Sequence, residues 1–164
     1  MDKFTIREIR PEEMALLEDF LYEAIFQRDE TNLLPKDVIK QPELNVFTKD
    51  FGKPDDYCLV AEADGKVVGA VWTRILCGKV KGYGNIDERT PEFAIAIYKQ
   101  YRNRGIGTAL MKDMLKLLKE HGYPRASLSV QKDNYAVGMY QKVGFKIVKE
   151  LEEEYLMIHD LRLV

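Results

Sequence analysis

The sequence predicts a mixed α/β sheet with helices on both faces. Three patterns carry that reading. Two β-rich runs, residues 57–63 and 66–75, flank Asp64-Gly65, a pair that accepts the positive φ of a type I′ hairpin turn. Further along, strand-like stretches alternate with segments of helical period. Two of the helical segments, one opening at Pro11 and one spanning residues 108–121, each carry a single apolar stripe that must pack against something. With 164 residues and 46% apolar composition, one domain built on one sizeable core is expected.

The elements follow in order. Residues 4–6 alternate like a strand, after which Pro11 takes the first helical position with Glu12 and Glu13 in the first turn, where the helix dipole favours negative charge. Met14, Leu17, Phe20, Leu21, Ala24 and Ile25 then recur at helical spacing. Between residues 32 and 52, Pro35 and Pro42 each open a short helix and Gly52 closes the second. The hairpin around Asp64-Gly65 makes its two strands antiparallel neighbours. Residues 77–90 form a long connection with Gly78, Gly82 and Gly84, of a length that in compact domains is functional or mobile. Residues 93–97 read as a strand and residues 108–121 as a helix with Leu110, Met111, Met114, Leu115 and Leu118 inward, stopped by Gly122 and Pro124. Residues 126–130 read as a strand, 134–143 as a short helix, and 145–149 and 155–161 as strands. No internal repeat or low-complexity segment interrupts the series.

Composition excludes several function classes. Acidic residues number 27 and basic ones 25, with a net charge of −2 and no long run of one sign, so general attraction to nucleic acid is not expected. No apolar run approaches the roughly 18 residues of a membrane span, and residues 1–8 lack an apolar signal core; a cytoplasmic location without membrane contact is the expectation. Cys58 and Cys77 are too few for a disulfide framework and not spaced as metal ligands, so they are expected to be buried strand thiols, with no metal required. His121, at a helix end, and His159, in the last strand, lack partners for a triad or a metal and are expected to be structural.

The most informative segment is Arg102-Asn103-Arg104-Gly105-Ile106-Gly107-Thr108, a basic, glycine-rich turn at a helix entrance. The first N–H groups of a helix lack partners and carry partial positive charge, so such a turn attracts phosphate. No Gly-Lys-Ser or Gly-Lys-Thr occurs, which removes the P-loop. A dinucleotide pattern begun at Gly105 would need glycine where Leu110 stands. The turn resembles the acetyl-CoA loop of the GCN5-related N-acetyltransferases, in which Gln or Arg precedes two residues, Gly, one residue, and Gly or Ala; Arg102, Gly105 and Gly107 match. About 25 residues later, residues 128–136 with Asn134 and Ala136, then Tyr140 and Gly144-Phe145, resemble the family's second signature.

That resemblance implies the acyl-CoA N-acyltransferase fold, a mostly antiparallel mixed sheet in which one adjacent parallel strand pair splays apart, here residues 93–97 and 126–130. It implies that main-chain groups of Ile95 and Ile97 hold the pantetheine arm, that the amides of Arg102, Asn103, Arg104, Gly105, Ile106, Gly107 and Thr108 hold the diphosphate, and that Asn134 caps its helix and bonds the pantetheine. Asn103 departs from the glycine commonly found there, although Asn tolerates left-handed geometry. The implied reaction is direct acetyl transfer from acetyl-CoA to a primary amine of a small molecule or peptide. Neutralising an amine of pKa about 10.4 at pH 7 costs roughly 4.6 kcal/mol, so a base is needed. Glu92 stands at a position often acidic in the family and ranks first, with Asp87 and Glu88 as alternatives. Tyr140 is the candidate acid for the departing thiolate. Tyr22 and Phe26 lie where the family's first helix borders the acceptor, and the 77–90 connection is expected near it. Two other readings stay open: a non-catalytic acyl-CoA sensor, and an interaction domain without a small ligand. Pairing of sheet edges into a homodimer also stays open.

Overall fold

The computed structural model describes residues 3–164. It contains one seven-stranded sheet in the order β1-β2-β3-β4-β5-β7-β6. The strands are β1 (Thr5–Glu8), β2 (Tyr57–Ala63), β3 (Lys66–Arg74), β4 (Glu92–Ile97), β5 (Arg125–Gln131), β6 (Lys146–Glu150) and β7 (Glu154–Asp160). Every neighbouring pair is antiparallel except β4 with β5. The helices are α1 (Leu16–Ala24), α2 (Pro42–Asn45), α3 (Ile106–Glu120) and α4 (Ala136–Lys142).

Alternation along the central strands divides the core into two layers, because successive side chains of a strand point to opposite faces. Leu59, Ala61, Val71 and Phe93 join Leu110, Met111, Met114 and Leu118 of α3 on one face. Cys58, Val60, Ala70, Trp72 and Ala96 join Leu17, Phe20 and Leu21 of α1 on the other. In β3 the register slips at Val68, since Ala61 faces Gly69 while Glu62 faces Val67. This extra residue lets both Val68 and Val71 reach the α3 layer. The hairpin is as expected, with Asp64 and Gly65 at φ 53° and 75°.

Prolines set the entrance segments. Pro11 opens a short 3-10 turn rather than the helix itself, and α1 begins five residues later. Pro42 occupies the first turn of α2, whereas Pro35 sits one step before a 3-10 turn. That irregular segment is tied down from within: the Trp72 indole N–H donates to the Phe47 carbonyl at 3.0 Å, and Arg74 reaches Asp56 and the carbonyls of Val46 and Lys49.

Most boundaries differ from the sequence reading by a residue or more, and three of the differences have a clear local reason. The α3 helix starts at Ile106, because Gly105 supplies a left-handed cap at φ 83° and the Ile106 side chain is buried. The α4 helix starts at Ala136, whose N–H is taken by Asn134 Oδ1 at 2.8 Å. Strand β4 begins at Glu92, one residue early, where Glu92 pairs with Arg74. The last strand, β7, inserts between β5 and β6, an order that local periodicity does not encode. Cys58 is a buried strand thiol as expected, but Cys77 is exposed at the start of the long connection. His159 is structural: its ring nitrogens lie 2.9 Å and 3.0 Å from the carbonyls of Val143 and Asp160, in a space that a Cβ on Gly144 would overlap.

Candidate active site

The parallel pair touches at one position, Glu92 opposite Ser127, and diverges beyond it. The Ser127 N–H donates to the Pro91 carbonyl, and the Tyr98 N–H donates to the Val68 carbonyl on the other side of β4. Main-chain groups alternate along a strand, so residues 93, 95 and 97 direct theirs toward β5, where the ladder has ended. Ile95 and Ile97 therefore present peptide groups to an open wedge. The Ile97 carbonyl already accepts from Arg102 Nε at 2.8 Å.

At the open end of the wedge the chain turns into α3. Asn103 adopts φ 63° and Gly105 φ 83°, and the first helical bond recorded at this end is Ala109 N–H to the Gly105 carbonyl. The amides of Ile106, Gly107 and Thr108 thus precede the helical ladder, as an anion site requires. Gly107 is not a turn residue. It lies inside α3, where an added Cβ would stand 3.1 Å from Ile97 Cδ1 and 3.2 Å from Met139 Sδ, so its role is the close approach of α3 to β4 and α4. Arg104 lies over the Tyr101 ring, and Arg102 pairs with Glu23 of α1 at 3.6 Å. Arg102 therefore fastens the turn to β4 and α1 as well as lending charge.

A cavity of about 780 Å³ joins these parts. Ile95, Ile97, Arg102, Asn103, Gly105, Gly107, Thr108, Asn134 and Tyr140 all line it, as do Tyr22 and Phe26 from the α1 side. The Tyr140 ring is buried edge-on to Phe145. Burial pushes its phenol above the ordinary value, which keeps the proton on oxygen near neutrality. The structure brings Arg102, Asn103, Gly105, Gly107 and Thr108 of the predicted loop, the wedge and Tyr140 into one space, whereas Arg104 and Ile106 stand outside the cavity lining and the Arg102 N–H is taken by the Lys99 carbonyl at 3.2 Å.

Glu92 lies elsewhere. It sits at the closed end of the wedge, outside the cavity lining and only 3% exposed. The 77–90 connection is laid across it. The Gly84 N–H donates to Glu92 Oε2 at 2.8 Å, while the Gly84 carbonyl accepts from Ser127 Oγ at 2.6 Å, so one residue bridges both strands at their meeting point. Glu92 Oε1 is the one buried side-chain polar atom among the described residues that lacks a partner. Burial raises the Glu92 carboxyl to about 7; the Gly84 bond opposes the shift and the Glu154 carboxylate adds to it. Asp87 is spoken for by Arg89 N–H, Thr90 Oγ1 and Arg125, which hold it down at about 2. Glu88 is exposed on the same connection.

Sequence reasoning missed the seat of this carboxyl. A Cβ on Gly82 would overlap Glu92 Oε1, and one on Gly84 would stand 2.8 Å from the Leu128 carbonyl carbon. The glycine pair flanking Tyr83 is the available signal, but no periodic pattern ties it to Glu92 or to the β5 backbone that it also meets.

The sequence pattern of the Acetyltransferase (GNAT) family matches residues 19–145. The chain belongs to that family. An N-alpha-acetyltransferase of Sulfurisphaera tokodaii is 39% identical over 100 residues, covering 58% of this chain and 60% of the relative. An acetyltransferase of Pectobacterium atrosepticum is 34% identical over 108 residues, covering 65% and 69%. Among solved structures, the PaiA N-acetyltransferase of Thermoplasma acidophilum, determined in complex with coenzyme A, superposes with a TM-score of 0.69 at 20% identity, covering 96% of this chain and 99% of that one. A GNAT acetyltransferase of Streptococcus pneumoniae gives 0.66 at 26% identity, covering 96% and 99%. The mostly antiparallel sheet with one splayed parallel pair is thus the GNAT fold, and the chain is an acetyltransferase of that family. Among the described residues, no helix is long and apolar enough to cross a membrane, and no group of three or more His, Cys, Asp or Glu is placed to hold a metal ion.

Proposed function

We propose that this GNAT protein transfers the acetyl group of acetyl-CoA directly to a primary amine. The observation that carries the reading is the single-pair contact between β4 and β5, which leaves the peptide groups of Ile95 and Ile97 facing a wedge that runs down to the unladdered amides of α3. Each hydrogen bond from such an amide to a charged oxygen contributes about 1.5–3 kcal/mol, so a few anchor a diphosphate.

In this reading the amine nitrogen attacks the thioester carbonyl carbon, the carbon–sulfur bond breaks, and the acetyl group leaves on nitrogen as an amide. Glu92 takes the proton from the amine, directly or through a water, and its raised pKa of about 7 suits a base working near neutrality. Tyr140, protonated by virtue of its burial, gives a proton to the sulfur. The name carried by the Sulfurisphaera relative points to an α-amine as the first acceptor to assay.

The test is thiol release from acetyl-CoA against a panel of α-amines, lysine side chains and small amines, followed as a function of pH. Turnover is expected to rise with pH through an inflection near 7 that Glu92→Gln abolishes. Retention of that inflection in the variant removes the base assignment, and absence of thiol release with every amine, despite coenzyme binding, favours a sensor instead.

A further inference from the structure

The strap over Glu92 is unlike the rest of the connection. Gly82 and Gly84 are buried while Tyr83 between them is half exposed, so the backbone is pressed onto the carboxyl and one ring is turned outward. Neither glycine is there for a left-handed φ; both are there because Glu92 and the β5 backbone leave no space for a Cβ. The Gly82 N–H donates to the Leu76 carbonyl and the Asn85 N–H to the Gly82 carbonyl, which makes the strap a compact loop.

The strap also lies where an acceptor has to enter. The wedge runs from the α3 end, where the cavity lies, to the Glu92–Ser127 contact, and the strap is laid over that contact, so an amine meeting a thioester lodged at the wedge apex passes beside the strap. The sheet face shared by Glu92 and Ser127 also carries Ser129 and Leu156, which are register partners and so project together, and Glu154, whose Oε2 accepts from Ser129 Oγ at 3.1 Å. All three are partly exposed, and Gly84 rests against the Ser129 amide. Tyr83 stacks on Phe47 with centroids 6.3 Å apart and planes 20° from parallel. Burial pushes the Tyr83 phenol above its ordinary value, and the carboxylates of Glu43 and Glu154 add to the shift.

Building on the acetyltransferase reading, we propose that the Gly82–Gly84 strap is the acceptor-side wall of the site and that Tyr83 is its specificity-determining residue, selecting an ammonium group carried beside an apolar chain. The apolar chain packs on the Tyr83–Phe47 pair, and the ammonium lies between the ring and the Glu154 carboxylate on its way to Glu92 Oε1. The lone oxygen of Glu92 is the polar end of that path, now capped by the Gly82 methylene. Acceptor entry and displacement of Gly82 are therefore one event.

The experiment is calorimetry on the full chain saturated with CoA, titrated with three amines: a peptide with a free N-terminal methionine, spermidine, and free lysine. Wild type binds at least one, and the arm that binds tightest separates a polypeptide end from a polyamine or an amino acid. Tyr83→Ala weakens that binding at least tenfold, Tyr83→Phe changes it less than twofold, and Glu154→Gln weakens it three- to tenfold. Where turnover is measurable, Tyr83→Ala raises KM with kcat within twofold. Equal affinity in Tyr83→Ala overturns the proposal, as does failure of all three amines to bind wild type. A wild type that takes up no CoA refutes the acetyltransferase reading instead, and the same titrations on the unloaded protein then judge the strap.

Discussion

The two ends of β4 are built on different principles. The end leading to α3 presents peptide groups: Ile95 and Ile97 along the wedge, then the amides after Gly105. Its needs are backbone needs, namely a left-handed cap, a missing Cβ at Gly107 and a strand edge left unpaired on the β5 side. The other end presents one buried carboxyl whose behaviour is set by tertiary contact: burial under the strap, the Gly84 N–H bonded to it, and the Glu154 carboxylate beyond. A backbone-built site tolerates changes of side chain and leaves a short pattern in the sequence. A side-chain site held by tertiary contact leaves almost none.

That contrast predicts separable damage. The largest effect is expected from Gly84→Ala, whose Cβ would meet the β5 backbone at 2.8 Å and 2.9 Å, atoms that cannot yield as a flexible side chain would. Turnover should fall about 10³-fold through displacement of the base, while affinity for CoA stays within threefold of wild type. Loss of both together would show that the two ends are one unit.

Next in size is a pH effect on stability. Glu92 binds its proton more tightly folded, at about 7, than unfolded, near 4.5, so wild type loses stability as pH rises through that window. Relative to Glu92→Gln, the loss is expected to reach about 3 kcal/mol above pH 7, measured by urea unfolding at pH 5 and pH 8. A parallel pH dependence in the two proteins would mean that the carboxyl is not desolvated in the folded state.

Tyr140→Phe is expected to lower kcat about 10²-fold with CoA affinity within threefold, because the ring still fills its place beside Phe145. The smallest effect is expected from Gly105→Ala. Nothing lies within 4 Å of the added Cβ, so the cost is the left-handed φ alone, read as a drop of about 1 kcal/mol in unfolding free energy with kcat and CoA affinity unchanged.

The same contrast sets how much of the fold and the site is legible in the sequence. The hairpin at Asp64-Gly65, the apolar stripes of α1 and α3 and the Arg102–Gly107 turn are local patterns, and each was placed within a few residues. Asn134 was legible as a cap because its bond to the Ala136 amide spans two residues. Insertion of β7 between β5 and β6 was not, since nothing local distinguishes that pairing from its alternatives. Glu92 is singled out by the family resemblance, yet its burial is not legible, because the residues that bury it, Gly82 and Gly84, sit in a connection with no period to read. Arg102 shows the limit most plainly: its charge suggested phosphate, and its bonds to the Ile97 carbonyl and Glu23 emerge only from the packing of β4 against α1.

Calorimetry comparing CoA with pantetheine, which keeps the arm but lacks the diphosphate, addresses the grip of the α3 amides most directly. Those amides should make CoA bind at least about 100-fold tighter, the equivalent of two charge-assisted hydrogen bonds. Equal affinities for the two ligands, or no binding of either, would contradict a diphosphate site at the head of α3.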